Sequence, residues 1–252
     1  MTKLDRDGVA IHYEVEGQGL PLLLSHGYGA TGRMWKPQVQ ALKDRCRIIT
    51  WDLRGHGESD SPDDPSLYTH ELSIDDMRAI LDAEGIDQAV IGGHSLGGFL
   101  TLRFNVSYPE RVKALYLQGC GPGYRKAEGR EAWNRTSQSR AERFEELGLE
   151  ALTGASEVRR NQHHSATGLA HAARGILSQR DSQVIDSLPH INVPTLITVG
   201  DGDRAFLGSS DYMAAKIEGA SKFVIDNAGH GCNLDQPERV NEILGEFLAG
   251  LA

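Results

Sequence analysis

Seven short runs of apolar or alternating residues recur along the chain and predict β-strands. Most are almost continuously apolar, which is typical of strands covered on both faces in a parallel sheet. The run "GVAIHYEVEG" alternates instead, and this pattern predicts an antiparallel edge hairpin with one face in water. The runs lie at 8–17, 20–27, 46–53, 88–95, 112–120, 194–201 and 222–229.

Helical patterns occupy the intervals between these strands. A regular alternation of strands and helices of this kind indicates a doubly wound α/β architecture. The clearest helical patterns lie at about 34–43, 72–84, 96–107 and 236–249.

One segment, residues 122–190, interrupts the alternation because it contains no convincing strand. Two apolar stripes at helical spacing predict two helices in it. The stripes are Trp133, Ala141, Phe144 and Leu147, then Leu169, Ala172, Ala173, Ile176 and Leu177. We therefore expect a small helical insertion between the strands at 112–120 and 194–201, carried by a core made of residues 1–121 and 191–252.

Composition narrows the class of protein. A chain of 252 residues suffices for one large α/β domain. Its net charge of -9 offers no basic stripe, which argues against a nucleic-acid partner. The charged N-terminus lacks the apolar core of a signal peptide, and no run reaches the length of a membrane span. We expect a cytoplasmic protein with no membrane partner, in which Cys46, Cys120 and Cys232 are reduced, buried thiols.

A candidate nucleophile lies in the pentapeptide Gly93-His94-Ser95-Leu96-Gly97. The strand "QAVIGGHS" precedes it and the helix "LGGFLTLRFNVSY" follows, so Ser95 occupies a sharp strand-to-helix turn. The glycines on either side let strand and helix approach closely. Adjacent side chains at such a turn point in different directions, and His94 is therefore not the predicted base for Ser95.

At these residues the chain resembles the α/β-hydrolase superfamily, in particular small bacterial carboxylesterases and lactonases with a Ser-Asp-His triad. The resemblance implies a mostly parallel eight-stranded sheet with a small helical cap, formed here by residues 122–190. It also implies catalytic residues in the chain order Ser95, Asp203, His230. The acid follows the strand in "ITVGDGDRAF", where the family spacing after Gly200 favours Asp203, while Asp201 faces solvent or caps the turn.

The same resemblance assigns further positions. The backbone N–H groups of Tyr28, in "LLLSHGYG", and of Leu96 would form the oxyanion hole. The stretch "WDLRGHGESD" is similar to a family motif that is mainly architectural, which implies a structural role for Arg54 and His56.

The substrate pocket is less well defined. The insertion has ten Lys and Arg against nine Asp and Glu in an otherwise acidic chain, so Arg125 or Arg130 is a candidate for binding a substrate carboxylate. A solvated helix surface is the favoured interpretation of these arginines. Trp133 and Phe144 either pack the insertion or line the pocket, with packing favoured, and His26 is a further pocket candidate.

The adjacent pair His163 and His164 points to different sides of the backbone, which is a poor geometry for a shared metal. A solvated face is the favoured interpretation of this pair. We expect neither a metal site nor a cofactor.

These features predict a serine hydrolase that acts on a small carboxylic ester or lactone, with water as the second substrate. Ser95 would form an acyl-enzyme, with His230 as base and Asp203 as orienting acid. A C–C bond hydrolase of β-diketone type, a thioesterase, a perhydrolase and an acyltransferase remain alternatives on the same triad. An alternative of another class is a ligand receptor with a nearly silent triad. The sequence predicts neither the physiological substrate nor the oligomeric state.

Overall fold

One twisted sheet organises the molecule. The computed structural model describes residues 2–153, 156–158 and 160–251. Its eight strands lie in the order β1-β2-β4-β3-β5-β6-β7-β8, and every pairing is parallel except those that involve β2. The strands are β1 (Thr2–Arg6), β2 (Val9–Glu16), β3 (Leu20–Ser25), β4 (Cys46–Trp51), β5 (Ala89–His94), β6 (Val112–Gln118), β7 (Thr195–Gly200) and β8 (Ser221–Ile225). The predicted fold class is confirmed.

Helices cover both faces of the sheet, as the apolar strands require. In β5, Ile91 belongs to a core shared with α2 and α3, while Val90 belongs to a second core shared with α1 and α9. The helices are α1 (Lys36–Leu42), α2 (His70–Ala83), α3 (Leu96–Ser107), α4 (Ala127–Leu147), α5 (Ala166–Gly175), α6 (Gln183–Ser187), α7 (Leu207–Lys216), α8 (Cys232–Asp235) and α9 (Pro237–Ala249).

Each of the seven predicted runs contains a strand, but the pattern did not locate β1. The side chains of β1 are exposed or half-buried, so its sequence lacks the apolar signal of a covered strand. It pairs antiparallel with β2 and completes the edge hairpin. Helix α7 was missed for a similar reason, since Ser210 and Met213 are its only buried residues.

The described part of the insertion consists of helices joined by irregular segments. Between β6 and β7 the residues that the structure describes form α4, α5, α6 and short 3-10 turns, with no strand. Helices α4 and α5 share a small apolar core to which Phe144 and Leu169 belong. The Tyr28 hydroxyl donates to the Leu169 carbonyl at 2.8 Å, so α5 lies over the loop that follows β3. The insertion thus covers the carboxyl edge of the sheet, where parallel α/β folds bind ligands; its proposed limits, 122 and 190, stay a prediction.

The three cysteines are free and buried. Burial raises the pKa of Cys120 and of Cys232 to about 12, so both are protonated, unreactive thiols at neutral pH. In the described ranges no helix is both long and apolar enough to cross a membrane.

Candidate active site

Ser95 occupies a strained turn between β5 and α3. Its backbone has φ 54° and ψ −114°, a conformation that non-glycine residues rarely adopt. A Cβ at Gly93 would lie 2.3 Å from the backbone of Gly97, and one at Gly97 would lie 2.3 Å from the Ser25 carbonyl oxygen. Only glycine therefore fits at these two positions, and the tight packing holds the half-buried Ser95 at the carboxyl end of the sheet.

His230 lies in the loop after β8 and is held by a carboxylate. Its Nδ1 lies 2.8 Å from Oδ2 of Asp203, a residue that is 6% exposed. Because an ionised carboxylate only accepts, Nδ1 carries the proton and Nε2 is left free to accept one. The Phe206 ring stacks on the His230 ring with centroids 4.9 Å apart and an interplanar angle of 18°.

The neighbouring carboxylate, Asp201, has a different role. It is exposed, and its Oδ1 accepts the backbone N–H of Ala228 at 3.1 Å. This bond joins the loop after β7 to the loop after β8, and it holds the pKa of Asp201 below its usual range. Asp203, three residues after Gly200, is the acid that reaches His230.

The three predicted catalytic residues converge around the end of β6. The Ser95 N–H donates to the Gln118 carbonyl at 2.9 Å. A Cβ on the next residue, Gly119, would lie 3.3 Å from both His230 Nδ1 and Asp203 Oδ2. No hydrogen bond joins the Ser95 hydroxyl to His230 among the contacts of the described residues. Such bonds are often long without substrate and tighten only in the reacting complex.

Two backbone N–H groups near Ser95 have no acceptor within the described parts of the chain. Leu96 is the first residue of α3, so its N–H has no partner in the helix. The Tyr28 N–H likewise donates to no described acceptor. Gly27, which precedes Tyr28, approaches Ser95 so closely that a Cβ there would lie 3.2 Å from the Ser95 Cβ. Their assignment to an oxyanion hole stays a prediction.

His94 ends a buried chain of hydrogen bonds that fixes its protonation. Asn233 Nδ2 donates to the Met34 carbonyl at 3.0 Å. Because a carbonyl oxygen only accepts, this bond fixes the orientation of the Asn233 amide, and its Oδ1 faces Gln118. Gln118 Nε2 donates to that oxygen at 2.7 Å and also lies 3.3 Å from His94 Nδ1. Since Nδ1 accepts, the proton of the neutral His94 ring is on Nε2.

Burial reinforces this state. The His94 ring is fully buried, which lowers its pKa well below 6.5, and the adjacent His230 lowers it further. Nε2 has no hydrogen-bond partner in the described structure. His94 is therefore a neutral N–H donor and cannot take the Ser95 proton.

A carboxylate from the cap, that of Glu157, was missed by the sequence reasoning. One of its oxygens and one ring nitrogen each of His94 and His230 lie within 4.8 Å of one another. Such a spacing is compatible with a metal site, but the amide network protonates Nε2 of His94 and occupies its Nδ1. A single glutamate in an irregular segment carries no sequence signal that would have placed it here.

The predicted pocket residues occupy varied positions. His26 is fully buried, with Nδ1 donating to the Gly27 carbonyl at 2.7 Å and Nε2 accepting the Leu53 N–H at 3.0 Å. Phe144 is buried and meets the Tyr28 ring edge to face at 6.2 Å.

The other three bond to groups of the cap. Trp133 Nε1 donates to the Leu177 carbonyl at 2.7 Å. Arg125 pairs with Asp186 at 2.6 Å, and Arg130 donates to the carbonyl of Arg125 at 2.7 Å. A substrate role for these five residues stays a prediction.

The loops below the cap carry buried polar groups. Arg54 makes a buried two-point ion pair with Asp76, at 2.7 and 2.9 Å. His56 is buried beside His163, with ring centroids 5.7 Å apart. The interpretation of His163 and His164 as a solvated pair is wrong for His163. Its Nε2 donates to the Gly29 carbonyl at 2.9 Å, and burial lowers its pKa to about 4.

Comparisons with known proteins show which family the chain belongs to. The chain is 28% identical over 269 residues to 3-oxoadipate enol-lactonase 1 of Acinetobacter baylyi, covering 98% of this chain and 96% of that protein. It is 29% identical over 266 residues to a putative carbamate hydrolase, RutD, of Caulobacter vibrioides, covering 95% and 96%. Among solved structures, a thermophilic esterase from Thermogutta terrifontis superposes with a TM-score of 0.85 at 30% identity, covering 100% of this chain and 99% of the esterase. The model of the alpha/beta hydrolase family matches residues 22–243, and the chain belongs to that family.

Proposed function

We propose that this protein is a serine hydrolase that cleaves a small carboxylic ester or lactone through an acyl-enzyme on Ser95. The observation that supports the proposal is that a strained, glycine-flanked Ser95 lies at the same end of β6 as His230, whose Nδ1 is bound to Asp203 at 2.8 Å. Its similarity to proteins named as a lactonase, a carbamate hydrolase and an esterase supports the same class of reaction.

In the first half-reaction, Ser95 Oγ attacks the carbonyl carbon of the substrate while its proton passes to Nε2 of His230. Asp203 accepts from Nδ1, holds the ring in this orientation and stabilises the imidazolium. The carbon–oxygen bond to the leaving alkoxide then breaks, and the His230 proton passes to it. The alcohol departs, or remains attached when the substrate is a lactone.

In the second half-reaction, water gives a proton to His230 and attacks the acyl carbon. The proton then returns to Ser95 Oγ as the acid is released. The N–H groups of Tyr28 and Leu96 would donate to the oxyanion of both tetrahedral intermediates. The loss of one such donor typically costs about 100- to 1,000-fold in rate. Leu96 also lies at the N-terminus of α3, where the helix dipole favours negative charge.

The proposal is tested with a fluorophosphonate probe and a substrate panel. We expect covalent labelling of Ser95 and turnover of p-nitrophenyl acetate, with the Ser95→Ala protein as the blank in both assays. Short acyl esters, lactones and β-diketones in the same panel separate ester and lactone chemistry from C–C cleavage. The absence of both labelling and turnover would contradict the enzyme assignment. Labelling without turnover would instead favour a receptor with a slow triad.

A further inference from the structure

The cap places one acidic side chain at the candidate catalytic centre. Glu157 is only 7% exposed, although it lies in the irregular segment between α4 and α5. One oxygen of its carboxylate and one ring nitrogen each of His94 and His230 lie within 4.8 Å of one another. A substrate whose carbonyl group lies between Ser95 and His230 would therefore react near this carboxylate.

The polypeptide makes room for this carboxylate beside His230. A Cβ at Gly231 would lie 2.9 Å from Glu157 Oε2 and 2.5 Å from Ser156 Oγ. Gly231 has φ −87°, a value open to any residue, so its backbone conformation does not require glycine. The close approach of the cap explains why this position is glycine.

The Glu157 carboxylate has a hydroxyl partner. It accepts a hydrogen bond from the Ser156 hydroxyl at 3.3 Å, and among the described residues no Lys or Arg forms an ion pair with it. His94 is held neutral by burial and by its amide network. Of the two arginines predicted as candidates for a substrate carboxylate, Arg125 pairs with Asp186 and Arg130 donates to the carbonyl of Arg125.

We propose that Glu157 makes the site select substrates by charge: neutral or cationic esters and lactones are accepted, and those with a carboxylate near the scissile bond are rejected. The inference rests on the proposed function, because it concerns the substrate of the same site. Its physical basis is that a partly desolvated like-charge contact costs far more than the same contact in water. For the same reason, a positive charge on the substrate is stabilised by the Glu157 carboxylate.

The test compares three p-nitrophenyl esters of similar length with wild-type protein and with Glu157→Gln at neutral pH. The acyl groups are pentanoyl, the half-ester of glutaric acid, and 4-(trimethylammonio)butanoyl. The matched control is Glu150→Gln, which removes an exposed cap carboxylate that pairs with Arg160. Rates with Ser95→Ala are subtracted as spontaneous hydrolysis, and thermal melting checks that each variant is folded.

We expect Glu157→Gln to raise kcat/KM for the anionic ester relative to the neutral one by about tenfold or more, and to lower the relative value for the cationic ester. Glu150→Gln should leave both ratios within about twofold. Glu157→Asp, which keeps the charge, should retain most of the selectivity.

Two outcomes would overturn the inference alone: ratios unchanged in Glu157→Gln, or an equal change for all three esters, which would indicate a steric effect. Failure of the wild-type protein to label at Ser95 or to cleave any of the esters would overturn the proposed function, and this inference with it.

Discussion

Two histidines lie with their ring centroids 4.4 Å apart, one at the end of β5 and the other in the loop after β8, and their surroundings give them opposite chemistry. At the end of β5, His94 is fully buried and its Nδ1 accepts from the Gln118 amide. In the loop after β8, His230 is partly exposed and its Nδ1 donates to Asp203.

The difference shows that the partner of Nδ1 decides what Nε2 can do. An amide donor on Nδ1 leaves the proton on Nε2, whereas a carboxylate on Nδ1 draws the proton there and frees Nε2 as a base. Sequence proximity to Ser95 favours His94, but hydrogen bonding favours His230.

The largest expected effect is loss of the base. His230→Ala should lower kcat/KM for p-nitrophenyl acetate by about 10,000-fold or more, because Ser95 then has no proton acceptor. His94→Gln, which keeps a polar side chain, should cost tenfold or less. Steady-state kinetics on folded variants measure both, and a larger loss in His94→Gln than in His230→Ala would reverse the assignment.

The next effect concerns the carboxylate that distinguishes the two histidines. Asp203→Asn should lower kcat by about 1,000- to 10,000-fold, because an amide cannot fix the Nδ1 proton or stabilise the imidazolium. The matched variant Asp201→Asn should change kcat less than threefold, since the Asn side-chain oxygen can still accept the Ala228 N–H. Equal losses in the two variants would refute the choice of Asp203.

The smallest effect on activity, but a measurable one on stability, comes from the buried histidines. Burial lowers the pKa of His94 well below 6.5 and that of His163 to about 4. Below pH 6.5 these histidines are protonated in the unfolded chain but stay neutral in the folded protein. The free energy of unfolding should therefore fall as the pH decreases. At pH 4 the buried His163 should lower the free energy of unfolding by about 3 kcal/mol relative to neutral pH.

Urea unfolding between pH 7.5 and 4 tests this expectation. His163→Gln should show a flatter pH dependence than the wild-type protein, while His164→Gln, which alters an exposed ring, should retain the full slope. Parallel curves for the wild-type protein and His163→Gln would contradict the expected proton linkage.

Much of the site follows from local signals. The glycines around Ser95 and the position of Gly200 before Asp203 are short-range patterns that already specify a turn or a loop. The order of strands then brings their carboxyl ends to one edge, and Asp203 and His230 meet there as expected. Phe206, Gln118 and Asn233 gave no such signal, because their roles depend on which distant residue they face.

The sequence by itself determined most of the elements, their alternation and the family, because apolar periodicity and turn chemistry act over a few residues. Only the tertiary structure decided that His163 is buried and that Glu157 lies beside His94 and His230. These outcomes depend on contacts between residues 63 to 134 positions apart, such as His94 with Glu157 and Gly29 with His163. No local pattern encodes such contacts; packing of the cap on the carboxyl edge of the sheet creates them.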